Sequence, residues 1–344
     1  MSTEYDLLQL IQTQEPAIKR AFEKAIKDIR DGTKLTALRD ALKRGDTERA
    51  VAAVGIDNAA FSELRGALLN VYGNAGISTV NGTSWIYPDG TKAVIRFNMA
   101  SPMAEEYARN IGTGLITNIT SDMESAVRDT IADGYAFGRK WDDIALDIVG
   151  RVGPSGNRTG GILGLSKTQA NWLMSMRAKL NKGDYRGALD MTLLKDKRLR
   201  KMLEKAIAEN KTISAAQIAM IERNYERNAL MNRGLTIART ETLKAIEEAK
   251  YEAWRQGLEK TGVPEQFVIR EWRHTGRAMR DRPSHVAMNG TQVRGLHIPF
   301  VLNDGTAMMH PHDTSYGAGA HQIINCMCQS RYSIDRKGLK AWRG

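Results

Sequence analysis

Apolar residues recur at helical spacing along most of this chain, and the places where that rhythm stops mark its organisation. Leu7, Leu8 and Ile11, then Ile18, Phe22 and Ile26, repeat at intervals that put side chains on one helix face. Proline disfavours a helical residue before it, so Glu15-Pro16 reads as a break between two short helices. Gly32, Gly45 and Gly55 punctuate the next stretch, and the first 75 residues are expected to form several short helices, as in a small bundle. Across residues 78–97 the pattern changes. Ser78-Thr79-Val80, Ser84-Trp85-Ile86-Tyr87 and Ala93-Val94-Ile95-Arg96-Phe97 are rich in β-formers, and Asn81-Gly82 and Pro88-Asp89-Gly90 are turn chemistry. A small hairpin is expected there.

Helical spacing then resumes. Ser101-Pro102 offers a cap and a first-turn proline, with Glu105-Glu106 at the positive end of the helix dipole. Ile111, Leu115, Ile119, Val127 and Ile131 mark one face, and a further helix begins near Trp141-Asp142-Asp143. Residues 150–163, rich in Gly, Pro and Ser, read as a linker. Helices are expected over Ser166–Leu180 and Leu193–Asn210, and a long one from Ser214 toward Trp254 with a break near Gly234. Past Gly262 and Pro264 the pattern becomes strand and loop, with Phe267-Val268-Ile269 β-like. The fold class is therefore α+β. Mostly helical N-terminal (1–150) and middle (151–230) regions, the first with the hairpin, precede a compact α+β module over 231–344.

Composition narrows this picture. Apolar residues at 42% and charged residues at 26% are those of a globular chain, and 6% aromatics favour cores of Ala, Leu, Ile and Met. No apolar run approaches the ~20 residues that span a bilayer, and the N-terminus lacks a basic start followed by an apolar block. Neither a membrane contact nor a secretory signal is expected.

The net charge of +11 is unevenly spread. Residues 1–150 carry 17 Lys and Arg against 21 Asp and Glu, residues 151–230 carry 16 against 7, and residues 231–344 carry 17 against 11. An acidic beginning and a basic remainder suit two kinds of neighbour, the basic part lying near nucleic acid. Lys195, Lys197, Arg198, Arg200 and Lys201 cluster at one helix start, as groups that touch phosphates would. More often such a run is simply a solvated helix face.

Candidate chemistry sits at the C-terminal end. All six histidines lie between His274 and His321, and both cysteines, Cys326 and Cys328, come soon after. One intervening residue is too few for an unstrained disulfide, so the pair reads as buried small groups or as half of a metal site. Imidazole with thiolate suits Zn²⁺. His285, Cys326 and Cys328 are the candidate ligands, with a fourth from His274, Asp281, His310 or His312. An enzyme reading would use His310-Pro311-His312-Asp313 as a metal or acid/base element of a nuclease, and Arg239-Thr240-Glu241 to position a nucleotide. No phosphate-cradling glycine loop or nucleophile elbow is present, and no catalytic residue is assigned.

The order of these features carries a resemblance. Ile237-Ala238-Arg239-Thr240-Glu241 is followed by Trp272, then by Arg280-Asp281-Arg282-Pro283-Ser284-His285 and Met288-Asn289-Gly290, with Phe300, Pro311 and Asn325-Cys326-Met327-Cys328 closing the series. Over residues 231–335 the chain resembles the phage Mu F-protein-like family of head morphogenesis, or minor capsid, proteins. Arg239, Glu241, Arg280, Arg282, His285, Gly290, Asn325, Cys326 and Cys328 match its motif residues. Met327 stands where the family prefers Arg, and Ala278 where it often has Asp. The resemblance implies a minor head protein of a tailed phage, made in the host cytoplasm and carried in the virion. It further implies association with the portal vertex and a role in viral assembly, DNA packaging or ejection. The portal protein, a major capsid or scaffolding protein and packaged double-stranded DNA would be its partners.

Overall fold

The apolar stripe along the first thirty residues forms one helix, Thr3–Gly32, with Pro16 inside it. Ile11, Ile18, Phe22, Ala25, Ile26 and Ile29 are all buried, so the stripe runs straight through the expected break. Burying a large aliphatic side chain stabilises by about 1.5–3 kcal/mol, and several of them outweigh the ~3 kcal/mol cost of an interior proline. The computed structural model describes residues 3–153, 156–278 and 280–343. None of its helices is long and apolar enough to cross a membrane, among the described residues.

The architecture is α+β, helical for most of its length, with small antiparallel sheets toward the C-terminal end. The chain divides into two compact units. Met1–Lys19, Arg65–Ile111 and Thr236–Gly344 form one, and Arg20–Leu64 with Gly112–Leu235 the other. The boundaries read from sequence at 150 and 151 therefore fall inside one unit.

In the second unit the Gly-rich stretch 150–163 is packed structure rather than a linker. Arg151–Val152 pairs antiparallel with Arg158–Thr159, while Pro154 and Ser155 lie outside the described residues. Ile162, Leu163 and Leu165 are fully buried, and the Ile162 N–H donates to Asp147 O. Glycine is needed here for close approach: a Cβ on Gly161 would collide with the backbone of residues 148–150. Asp147, itself fully buried, binds Arg177 at 2.6 Å, Arg151 at 3.3 Å and Arg139. Helix Lys167–Asn181 starts as expected, with a reciprocal cap between Ser166 and Gln169. Helix Lys197–Ala208 is capped by Asp196.

The first unit contains the remaining β structure. The expected hairpin over 78–97 shrinks to a turn at Pro88-Asp89-Gly90 with a single bridge between Ile86 and Lys92. Ser78–Gly82 belong instead to helix Ser62–Gly82, where the Thr79 hydroxyl donates to Ala75 O. Burial of Leu64, Leu68, Val71, Ala75 and Val80 carries the β-branched stretch into the helix. Ala215–Thr261 is one unbroken helix of 47 residues, so the break expected near Gly234 does not occur. Beyond it, Val268–Arg273 is the central strand of three, flanked by Gln292–Arg294 and Gln329–Ile334, both antiparallel. Its alternation buries Val268, Arg270 and Trp272. Arg270 is satisfied by three carbonyls: Gly295 O at 2.9 Å, Met309 O at 2.5 Å, and Ile298 O. One guanidinium thus pins the loops beyond the strand. Trp272, Phe300, Met308, Ile323, Cys326 and Cys328 form one apolar cluster at the end of the sheet.

A candidate metal centre

Strand register delivers the first pair of donors. Arg273 pairs with Gln329, so His274 and Cys328 meet just past the end of the ladder, with Cys328 Sγ 3.6 Å from His274 Nδ1. Cys326 is brought in by Asn325, which adopts a left-handed backbone at φ 56°, a conformation Asn tolerates better than most side chains. The Asn325 N–H is held by the Thr240 hydroxyl at 3.1 Å. His285 comes from the short helix Pro283–Ala287. Arg282, just before that helix, donates from Nε to His321 O and from a terminal nitrogen to Ile324 O, both at 2.5 Å. These bonds clamp the histidine segment against the turn that carries Cys326. Gly290, at φ 82°, donates to Trp272 O, and Asn289 Oδ1 accepts from His274 N.

The three residues chosen from sequence converge. His285 Nδ1 lies 3.3 Å from Cys326 Sγ and 3.6 Å from Cys328 Sγ, and all three donor atoms lie within 4.8 Å of one another. Bonds of ~2.0–2.1 Å to nitrogen and ~2.3 Å to sulfur at tetrahedral angles set such donors about 3.6 Å apart. This cluster can therefore hold a metal ion. The donors are enclosed, with exposures of 1% for His285, 1% for Cys326 and 2% for Cys328.

The surrounding hydrogen bonds leave the correct nitrogen bare. Gln322 donates from Nε2 to Asp304 at 2.5 Å, so its Oε1 faces His285 Nε2, 2.8 Å away, and must accept from it. The imidazole proton then sits on Nε2, and the Nδ1 lone pair points at the two sulfurs. The Cys326 thiol is pushed well down by a hydrogen bond from Cys328, against the effect of burial and helped by His312 and His285. Cys328 is correspondingly pushed up by the same bond and by burial, while the Trp272 indole N–H favours its ionised form. That indole N–H is buried and has no other partner.

His312 stands out among the four residues considered for a fourth donor. It is fully buried, adopts φ 71°, and apart from the Cys326 thiol its ring nitrogens have no hydrogen-bond partner among the described residues. Leaving such groups unsatisfied costs about 1–3 kcal/mol each. His312 also favours the ionised Cys326 thiol, although its nitrogens are not among the donor atoms that lie within 4.8 Å of one another. Of the other three, His310 and Asp281 are committed elsewhere, whereas His274 keeps Nδ1 toward Cys328 at the rim of the cluster. His310 uses both nitrogens, on Pro311 O at 3.0 Å and Glu248 at 3.2 Å. Burial would lower its pKa, but the Glu248 bond prevails and raises it. Asp281 pairs with His274 Nε2 at 3.3 Å, which orients that ring and leaves it half-buried at the rim.

The family-like residues divide in two. Arg282, His285, Gly290, Asn325, Cys326 and Cys328 build the cluster or its support. Arg239 instead lies 3.9 Å from Glu15, and Arg280 is exposed on the loop outside the cluster. Glu241 is half-buried, its carboxyl raised by burial against the pull of Lys244 and His312. Met327, where the family prefers arginine, offers its carbonyl to the Thr275 hydroxyl at 2.9 Å. His310-Pro311-His312-Asp313 forms a turn rather than an open acid/base element. Asp313 is spent on Met309 N and on Ser315 N and Oγ, at 2.7–2.8 Å. Gln322 and Asp304, which set the tautomer, carry no signal in the sequence; a buried glutamine four residues before Cys326 shows its purpose only in the fold.

The basic run from Lys195 to Lys201 is not uniform either. Lys195, Lys197, Arg198 and Lys201 are exposed, whereas Arg200 turns inward to donate to Leu189 O at 2.7 Å and Leu194 O at 3.4 Å. Arg200 is thus a clamp on the preceding turn and leaves the phosphate-facing set. No family model matches the chain, and no curated protein or solved structure matches it either.

Proposed function

We propose that the first unit is a zinc-binding module in which His285, Cys326, Cys328 and His312 hold one Zn²⁺ in a closed tetrahedral site. The carrying observation is the convergence of a bare Nδ1 and two thiols at metal-donor spacing. His312 is proposed as the fourth donor because it is buried, favours the ionised Cys326 thiol and has no other partner among the described residues. Enclosed four-donor sites hold structure together, whereas catalytic zinc keeps an open position for water or substrate. The ion would tie the short helix at 283–287, the turn at 310–313 and the strand starting at Gln329 to one point. Zinc content of the purified full chain, with and without Cys326→Ser, tests this reading.

For the biological role, we propose a minor head protein of a tailed phage, associated with the portal vertex. The support is the ordered series from Arg239 to Cys328, six of whose residues build or brace the donor cluster. An acidic first 150 residues facing a portal or capsid protein, and a basic remainder facing double-stranded DNA, suit that position. Purified particles should then contain the chain in low copy. Its absence from washed virions and from proheads would remove the head role without touching the metal site.

A second reading keeps the metal and adds chemistry on a nucleic acid or nucleotide. One observation favours it: the Glu241 carboxyl is raised by burial against the opposing pull of Lys244 and His312, as a general acid or base would be. Unchanged DNA and nucleotides after incubation with the zinc-loaded chain would exclude that activity.

A further inference from the structure

The second unit contains an arginine-lined cleft of about 730 Å³ that the metal site does not involve. Arg223 and Arg227 lie one turn apart on helix Ala215–Thr261, both exposed, and neither has a carboxylate partner among the described residues. Arg198, at the start of helix Lys197–Ala208, lines the cleft as well; its side chain is 92% exposed and, among the described residues, its one acidic partner is Asp196, at 3.8 Å. Deeper in lies Arg30, nearly buried. One of its terminal nitrogens is held by Glu226 and Leu163 O at 2.5–2.6 Å, while its Nε has no partner. The Thr159 hydroxyl, also lining the cleft, is buried without a partner too.

The lining thus holds four arginines against two carboxylates, and both carboxylates are already spent. Glu226 binds Arg30 and accepts from Gly160 N at 3.3 Å, while Asp196 caps its helix through Arg198 N and Leu199 N. Like charges one helical turn apart cost about 0.2–0.5 kcal/mol in a helix, so Arg223 and Arg227 do not serve stability as a pair. Exposed Lys195, Lys197 and Lys201 extend the positive field along the neighbouring helix. The floor carries Leu199, Met202, Met220 and Leu230, an apolar surface on which a base can lie.

We infer that this cleft binds the phosphate groups of a nucleic acid or nucleotide, with Arg198, Arg223 and Arg227 as the contacting cations. Guanidinium groups suit phosphate oxygens because they donate two parallel hydrogen bonds to them. The inference does not rest on the zinc reading, since every residue it uses lies in the other unit.

The test is fluorescence anisotropy of the full chain with labelled single- and double-stranded oligonucleotides and, separately, with a fluorescent ATP analogue. Arg223→Gln combined with Arg227→Gln should weaken binding by about tenfold or more and lower the slope of log K against log salt by about 2. Arg198→Gln, on the other wall, gives an independent reading should the double variant fold poorly. Lys43→Gln with Arg44→Gln, an exposed pair outside the lining, removes the same charge and should leave binding near wild type. Loss of oligonucleotide binding identifies a nucleic-acid source for the phosphates. Loss of ATP-analogue binding, in a chain that ignores oligonucleotides, identifies a nucleotide. The inference is overturned if the wild-type chain binds neither ligand or if the cleft variants bind as the wild type does. It is equally overturned if the control pair weakens binding as much, or if polyglutamate displaces the ligand at equal charge.

Discussion

Gln322→Leu isolates the hydrogen bond that gives the donor cluster its chemistry. Gln322 is buried and fixes His285 through a 2.8 Å contact to Nε2 while being fixed itself by Asp304 at 2.5 Å. Leucine keeps the approximate size and removes the acceptor. The His285 Nε2–H is then buried without a partner, at a cost of about 1–3 kcal/mol. The ring can escape that cost by moving its proton to Nδ1, but this covers the lone pair aimed at the sulfurs. Either outcome weakens the metal-bound state, and outer-shell changes of this kind lower metal affinity about 10–100-fold, or roughly 1.4–2.7 kcal/mol. Competition for Zn²⁺ with a chromophoric chelator measures the loss. The Co²⁺-substituted variant should keep the wild-type absorption bands, because the directly bound atoms are unchanged. Wild-type affinity in a variant that binds metal stoichiometrically would refute the assignment of His285 Nδ1 as a ligand oriented by Gln322.

Other consequences concern stability. Burial alone would raise the Glu252 carboxyl, but hydrogen bonds from Arg255, Gln256 and Ser101 prevail and hold it below the ordinary glutamate value. A depressed carboxylate stabilises above its unfolded pKa, and that contribution disappears as pH falls through the folded value. The melting temperature of Glu252→Gln should therefore fall less than that of the wild type as the pH is lowered through the carboxylate range. Gly257→Ala places a Cβ against the Trp85 ring, which packs on Trp254 with centroids 4.8 Å apart. Overpacking of this kind destabilises by about 1–3 kcal/mol, read by urea unfolding. Asp147→Ala removes the buried carboxylate from Arg177, whose side chain is 5% exposed, leaving Glu222 as its only acidic partner among the described residues. Breaking a buried pair costs about 3–5 kcal/mol, and unfolding at a lower denaturant midpoint with unchanged slope would register it.

The candidate site was legible in the sequence to the extent that it rests on residue type. Concentrating every histidine and cysteine in one short stretch marked His285, Cys326 and Cys328, and the fold brings those three together. Pattern also gave the helix cap at Ser101 and the start of the helix after Ser166, because capping is a local interaction written in adjacent residues. Pattern failed where long-range packing decided the outcome. Proline at 16 stops an isolated helix, but not one whose apolar face is buried on both sides of it. Ser78-Thr79-Val80 looks like strand, but the buried apolar residues that run from Leu64 to Val80 keep it helical. The glycines of 150–163 suggest a flexible link, whereas Gly161 is there because the chain passes too close to residues 148–150 for any side chain. Arg200 and Arg198 are indistinguishable as letters, and only the carbonyls near one of them separate a clamp from an exposed cation.

The most direct test of the zinc assignment is the metal content of the full chain, purified without a metal-affinity step and compared with the Cys326→Ser, Cys328→Ser double variant. A single four-donor site predicts about one Zn²⁺ per wild-type chain and none in the double variant. A wild-type chain free of metal after growth in zinc-supplemented medium, or a double variant that retains its zinc, would contradict it.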